Sequence, residues 1–128
     1  KQYGVIDEIY SMCRGISKHV ENKQYSDLVD IVGITPIIAP KDIIEQGLFK
    51  QEKKCDIKYG FASVSLWIDY DEYLKADITD KQIMIVKNIL ASIKTISRKA
   101  KIDYKQFCED IFQYCKLINL PIESNLKV

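Results

Sequence analysis

Apolar residues recur near the start of the chain at steps of three and four: Val5, Ile9, Met12, Ile16 and Val20, with Ile6 and Cys13 widening the stripe. That spacing predicts an amphipathic helix over about residues 5–20, because positions three and four apart share one helical face. Gly15 falls inside it, where glycine costs about 1 kcal/mol relative to alanine, and the polar stretch 21–27 ends it. Residues 28–39 are rich in β-branched side chains and predict a strand. Pro36 has no N–H for a ladder, so it marks an edge position or a bulge. Pro40 closes the run, and Asp42-Ile43-Ile44-Glu45 suggests a helical turn before Gly47.

The next pattern has a period of two. Cys55, Ile57 and Tyr59 alternate with Lys54, Asp56 and Lys58; beyond Gly60, Ala62, Val64, Leu66, Ile68 and Tyr70 alternate with Phe61, Ser63, Ser65, Trp67 and Asp69. A hairpin near 54–70, turning at Tyr59-Gly60, sets 57 opposite 62 and 55 opposite 64. It also sets 56 opposite 63 and 54 opposite 65, so both strands agree on one core face. Tyr-Gly is a poor two-residue turn, and a longer loop or one long bulged strand stays open. The outer face then carries Phe61 and Trp67 among Lys58, Ser63, Ser65 and Asp69. Large aromatics on a polar face suit a protein-binding hot spot; the alternative is that the first helix or the N-terminal segment covers them.

Two helices follow. Thr79 and Gln82 read as a capping box ahead of Ile83, Val86, Ile89, Leu90, Ile93 and Ile96. The basic run 98–101 suits the helix C-terminus, and Asp103 is placed to cap a second helix carrying Phe107, Ile111, Tyr114 and Ile118. Pro121 stops it, leaving 121–128 as an expected flexible tail. Helices and strands in separate runs predict an α+β fold. The expected arrangement is a small antiparallel sheet of about three to four strands, packed against the N-terminal helix and the two C-terminal helices, in a single domain over residues 1–128.

Composition narrows the function classes. The 19 basic and 18 acidic side chains leave +1 over 128 residues, without the basic excess of a protein that binds nucleic acid directly. The run 98–101 is too short to change that. No apolar run approaches the roughly 20 residues of a membrane span, and no signal peptide is visible, so a cytoplasmic protein with no membrane partner is expected. Lys1 rather than Met opens the chain, which leaves room for a lost segment.

Cys13, Cys55, Cys108 and Cys115 stand in apolar surroundings and are expected to be reduced, mostly buried thiols. Cys108 and Cys115 lie two helical turns apart, about 10 Å, too far for a disulfide within one helix. The one histidine, His19, falls at the polar end of the first helix, where a solvated or capping role is expected. With no metal spacing, phosphate loop or nucleophile motif, neither an enzyme nor a cofactor or metal site is supported.

One acidic, aromatic stretch asks for explanation: Trp67-Ile68-Asp69-Tyr70-Asp71-Glu72-Tyr73, continued by Lys75-Ala76-Asp77 and Asp80. Its carboxylates either form a solvated loop that favours the next helix or form a binding patch. Acid–base catalysis there would need a cleft and shifted pKa values beside Trp67.

Together with Gly33-Ile34-Thr35-Pro36-Ile37-Ile38 and Lys87-Asn88-Ile89-Leu90-Ala91-Ser92-Ile93-Lys94, this stretch resembles a family of bacterial immunity proteins. These accompany polymorphic toxins, including those of contact-dependent growth inhibition. The likeness spans roughly residues 28–112. Members of the family often open with an extra strand before the first helix, for which Lys1-Gln2-Tyr3-Gly4 is short.

The resemblance implies a protein that binds and neutralises the C-terminal domain of a cognate secreted toxin without a reaction of its own. Many such toxins are nucleases with basic substrate surfaces, which carboxylates would meet. Strand phase and composition then nominate Asp69, Asp71, Glu72 and Asp77 as charged contacts and Tyr70, Tyr73 and Trp67 as anchors. The alternative is a non-catalytic interaction or regulatory module unrelated to toxins.

Overall fold

The spacing at the N-terminus becomes helix α1 (Gln2–Val20) in a computed structural model that describes residues 2–46, 57–58 and 60–122. α1 buries Ile9, Met12 and Ile16, the predicted stripe, and starts earlier than the expected residue 5. The side chains of Val5 and Ile6 lie outside the described residues. Gly15 has a packing reason: the Tyr114 hydroxyl occupies the place a Cβ would take. His19 is half-buried rather than solvated, its ring 5.3 Å from that of Tyr114.

Strand β1 (Ile31–Ala39) leads through a helical segment at 41–46 (α2) to β2 (Ile57–Lys58) and β3 (Phe61–Asp69). The hairpin register is as expected where it is described, with Ile57 opposite Ala62 and Lys58 opposite Phe61. Gly60 takes φ +77° at the turn, a left-handed conformation that costs glycine little. Positions 54–56, with Cys55, lie outside the described residues, as do 123–128 of the expected tail.

The sheet as a whole is not antiparallel. Its order is β1-β3-β2, and β1 pairs with β3 in parallel over nine positions, from Ile31–Phe61 to Ala39–Asp69. β1 and β2 run in opposite senses, as in a meander, but β3 inserts between them instead of adding outside β2. Inserted there, it is antiparallel to β2 and therefore parallel to β1. Composition favours the placement. β3 is uncharged from Phe61 to Ile68 and suits a central strand, whereas Pro36 in β1 and Lys58 in β2 suit edges.

The acidic stretch is not a loop. It forms a short helix, α3 (Tyr70–Lys75), followed by α4 (Ile78–Ala100) and α5 (Tyr104–Leu117). Asp77, not Thr79, caps α4 by accepting from the Asp80 N–H at 2.8 Å. Asp103 caps α5 as expected, accepting from the Gln106 N–H.

The core lies between the inner sheet face, Ala62, Val64, Leu66 and Ile68, and the α4 stripe Ile85, Val86, Ile89, Leu90, Ile93 and Ile96. Each valine, leucine or isoleucine among them contributes roughly 1.5–3 kcal/mol on full burial. α1 and α5 pack on α4 and on each other.

Buried polar groups fix the loop between α1 and β1. Asp110 of α5 accepts from the Tyr25 hydroxyl at 2.6 Å and from Gln106 Nε2 at 3.1 Å, and pairs with Lys23 at 3.2 Å. The Ser26 hydroxyl donates to the Ala100 carbonyl at 2.6 Å and accepts from the Leu28 and Val29 N–H groups. The Asp30 N–H then donates to the Gly60 carbonyl, joining the loop to the hairpin.

Candidate functional site

The alternation of β3 decides which side chains of the acidic region reach the surface. Even positions face α4, so Trp67 and Asp69 fall on the outer face. Asp69 ends the strand and caps α3, its Oδ1 accepting from the N–H groups of Asp71 at 3.1 Å and Glu72 at 3.3 Å. Asp77 does the same for α4, so two of the nominated carboxylates have a local structural reason to be acidic. Asp71, Glu72 and Asp77 are exposed, and Tyr70 is half-buried.

Tyr73 is different. It is fully buried, its hydroxyl donates to Glu8 at 3.1 Å, and the Lys81 ammonium lies 5.1 Å from its ring centre. Burial first, and then the Glu8 carboxylate, push its phenol well above the ordinary value. As an anchor it can act only from beneath, by holding α3 against α1. Trp67 is half-buried on the outer face, in register with Ile37 of β1. Phe61 shares that face and is 43% exposed; its ring covers Gly33, whose absent Cβ would lie 2.6 Å from Phe61 Cζ.

Two apolar residues that the sequence reading passed over stand among the carboxylates. Leu74, on α3, is 48% exposed, and Ile78, the first residue of α4, is 72% exposed. Periodicity does not mark either one: Leu74 sits in a helix of six residues, and Ile78, seven before Ile85, continues the phase of the buried α4 stripe yet lies on its exposed first turn. With Asp71, Glu72, Asp77 and Asp80 they make a shoulder of exposed aliphatics flanked by acids. Such a surface can desolvate an apolar contact while its rim selects a basic partner.

The remaining groups do little chemistry where they are. Burial pushes the thiols of Cys13 and Cys115 up to about 11 and also raises that of Cys108, so none is poised as a thiolate. These three cysteines are unpaired. Among the described residues no three His, Cys, Asp or Glu side chains converge as a metal site would need. No helix among them is long and apolar enough to cross a membrane. A cavity of about 510 Å³ opens elsewhere, between the end of α1, the loop 21–30 and β1.

Comparison with curated proteins and with solved structures returns no match. A family does match, over residues 1–116, a span that runs from α1 into the last turn of α5. Its description is immunity protein 44, and the length of the match shows that the chain belongs to that family.

Proposed function

We propose that this protein neutralises a cognate secreted bacterial toxin by occupying its surface, and that the shoulder of α3 and early α4 makes the contact. The observation that carries this reading is the exposure of Ile78 and Leu74 beside Asp71, Glu72, Asp77 and Asp80. A single exposed aliphatic is ordinary, but two of them four residues apart, with acids on both sides, are the kind of apolar patch with a polar rim that marks an interaction surface. Family membership supplies the kind of partner, and the acids supply its sign: a basic surface, such as a nuclease offers to its substrate. The protein acts in the cytoplasm, where that substrate is, and performs no reaction itself.

Co-expression with a candidate toxin drawn from the genes neighbouring its own tests the reading. The wild-type chain is expected to restore survival and to co-purify with the toxin. The triple variant Asp69→Asn, Asp71→Asn, Glu72→Gln keeps the α3 cap, because asparagine caps about as well as aspartate. It is expected to raise Kd at least tenfold. Unchanged affinity removes this surface from the interface, and failure of the wild type to protect or co-purify removes the function.

A further inference from the structure

The nine-residue strand β1 borders the sheet, and among the described residues nothing pairs with its outer side. The Ile31 N–H donates to the Gly60 carbonyl at 3.1 Å, toward β3. Backbone direction alternates along a strand in a parallel pair, so Gly33, Thr35, Ile37 and Ala39 also address β3. Val32, Ile34, Pro36 and Ile38 therefore turn their backbone groups away from the sheet. Pro36 lacks its N–H where no ladder bond is made, which explains a proline in mid-strand. Edge strands are commonly blunted by charges, prolines or bulges, and Pro36 removes one outward donor from the middle of β1 while leaving those of Val32 and Ile34. β1 has no charged residue, and its register with β3 is unbroken.

The cavity of about 510 Å³ lies alongside this edge. Val32 and Ile34 line it from β1, and Ile16 and Val20 from α1. The residues whose backbone faces outward at the start of β1 thus also form the cavity wall. Glu21 and Asp30 stand at the rim, exposed, while the rim cation Lys23 is already held by Asp110 at 3.2 Å. Among the described residues, the charge left uncompensated at the rim is negative.

We propose that the edge of β1 and this cavity form one groove that captures an extended segment of the toxin. The segment pairs with β1 as an added strand, sets an apolar side chain in the cavity and brings a lysine or arginine to Glu21 and Asp30. Strand addition takes affinity from backbone bonds and specificity from pockets for alternate side chains, and a cavity of about 510 Å³ has room for a large apolar side chain. The inference rests on the reading of the protein as a toxin binder, and places a second contact away from the α3–α4 shoulder.

Residue-resolved hydrogen–deuterium exchange on the whole chain, alone and with the co-purified toxin, tests it. The Val32 and Ile34 amides are expected to exchange fast in the free chain and at least tenfold more slowly in the complex. The Ile31 and Gly33 amides, already directed at β3, should change far less. A complex in which Val32 and Ile34 exchange as before overturns the groove and leaves toxin binding standing; no complex at all overturns both. Slow exchange at these amides in the free chain, by self-association or by pairing within the chain, also overturns it. Ser17→Trp places bulk in the cavity from an exposed position of α1. It is expected to weaken toxin binding at least tenfold at an unchanged melting temperature, and undiminished binding counts against the groove.

Discussion

Asp110 shows how much one side chain can organise. Burial alone would raise its carboxyl, but donation from Tyr25, Lys23 and Gln106 outweighs burial and holds it below the ordinary 3.8. A carboxyl lowered in the folded state stabilises the fold above its ordinary value, and that contribution fades as pH falls through the lower folded value. Asp110→Asn is therefore expected to cost about 1–2 kcal/mol at neutral pH. Its deficit should narrow below pH 3.8, as urea melts at both pH values would show. At Gly15 a different cause operates. Gly15→Ala gains helix propensity but drives a methyl into the Tyr114 hydroxyl. It should lose about 1 kcal/mol in the wild type and gain about 0.5–1 kcal/mol in a Tyr114→Ala background. A double-mutant cycle by thermal melting measures the difference. The sequence shows the glycine as a weak point in a helix; only the packing of α5 gives it a purpose.

Among the elements, β3 was the most legible. Its period of two places Ala62, Val64, Leu66 and Ile68 inside, and each is at most 4% exposed. The hairpin register with β2 followed from the same alternation, because a slip of one residue would expose the whole apolar set. The start of α4 was misread. Thr79-x-x-Gln82 has the form of a capping box, yet Asp77 is the residue in extended conformation whose carboxylate meets an orphan N–H. Asp77→Ala should cost about 1 kcal/mol, as an N-cap does, and Thr79→Ala very little, a contrast that equilibrium unfolding measures directly. The short helix α3 was missed because six residues carry too little periodicity to stand out from a loop.

At the scale of the whole molecule, 19 basic and 18 acidic side chains nearly cancel, so the protein's overall field is weak. Any strong salt dependence of toxin binding must then come from local clusters of charge, and the proposed surface supplies an acidic one. The Asp69→Asn, Asp71→Asn, Glu72→Gln variant is expected to lose affinity with rising salt less steeply than wild type, as titration calorimetry at three ionic strengths would show. Equal slopes would place the governing charges elsewhere. Local chemistry written in the chain determined the α+β class, the α1 and α4 stripes, the hairpin register and the Asp103 cap, since each depends on residues close in sequence. Tertiary structure alone decided that β3 lies between β1 and β2, which makes the longest pairing parallel. It also put Tyr73 beneath the surface, left Leu74 and Ile78 upon it, and set β1 beside the cavity. These outcomes depend on which distant segments share a core, and backbone hydrogen bonds and apolar side chains accept many partners without marking in the sequence which one they will meet.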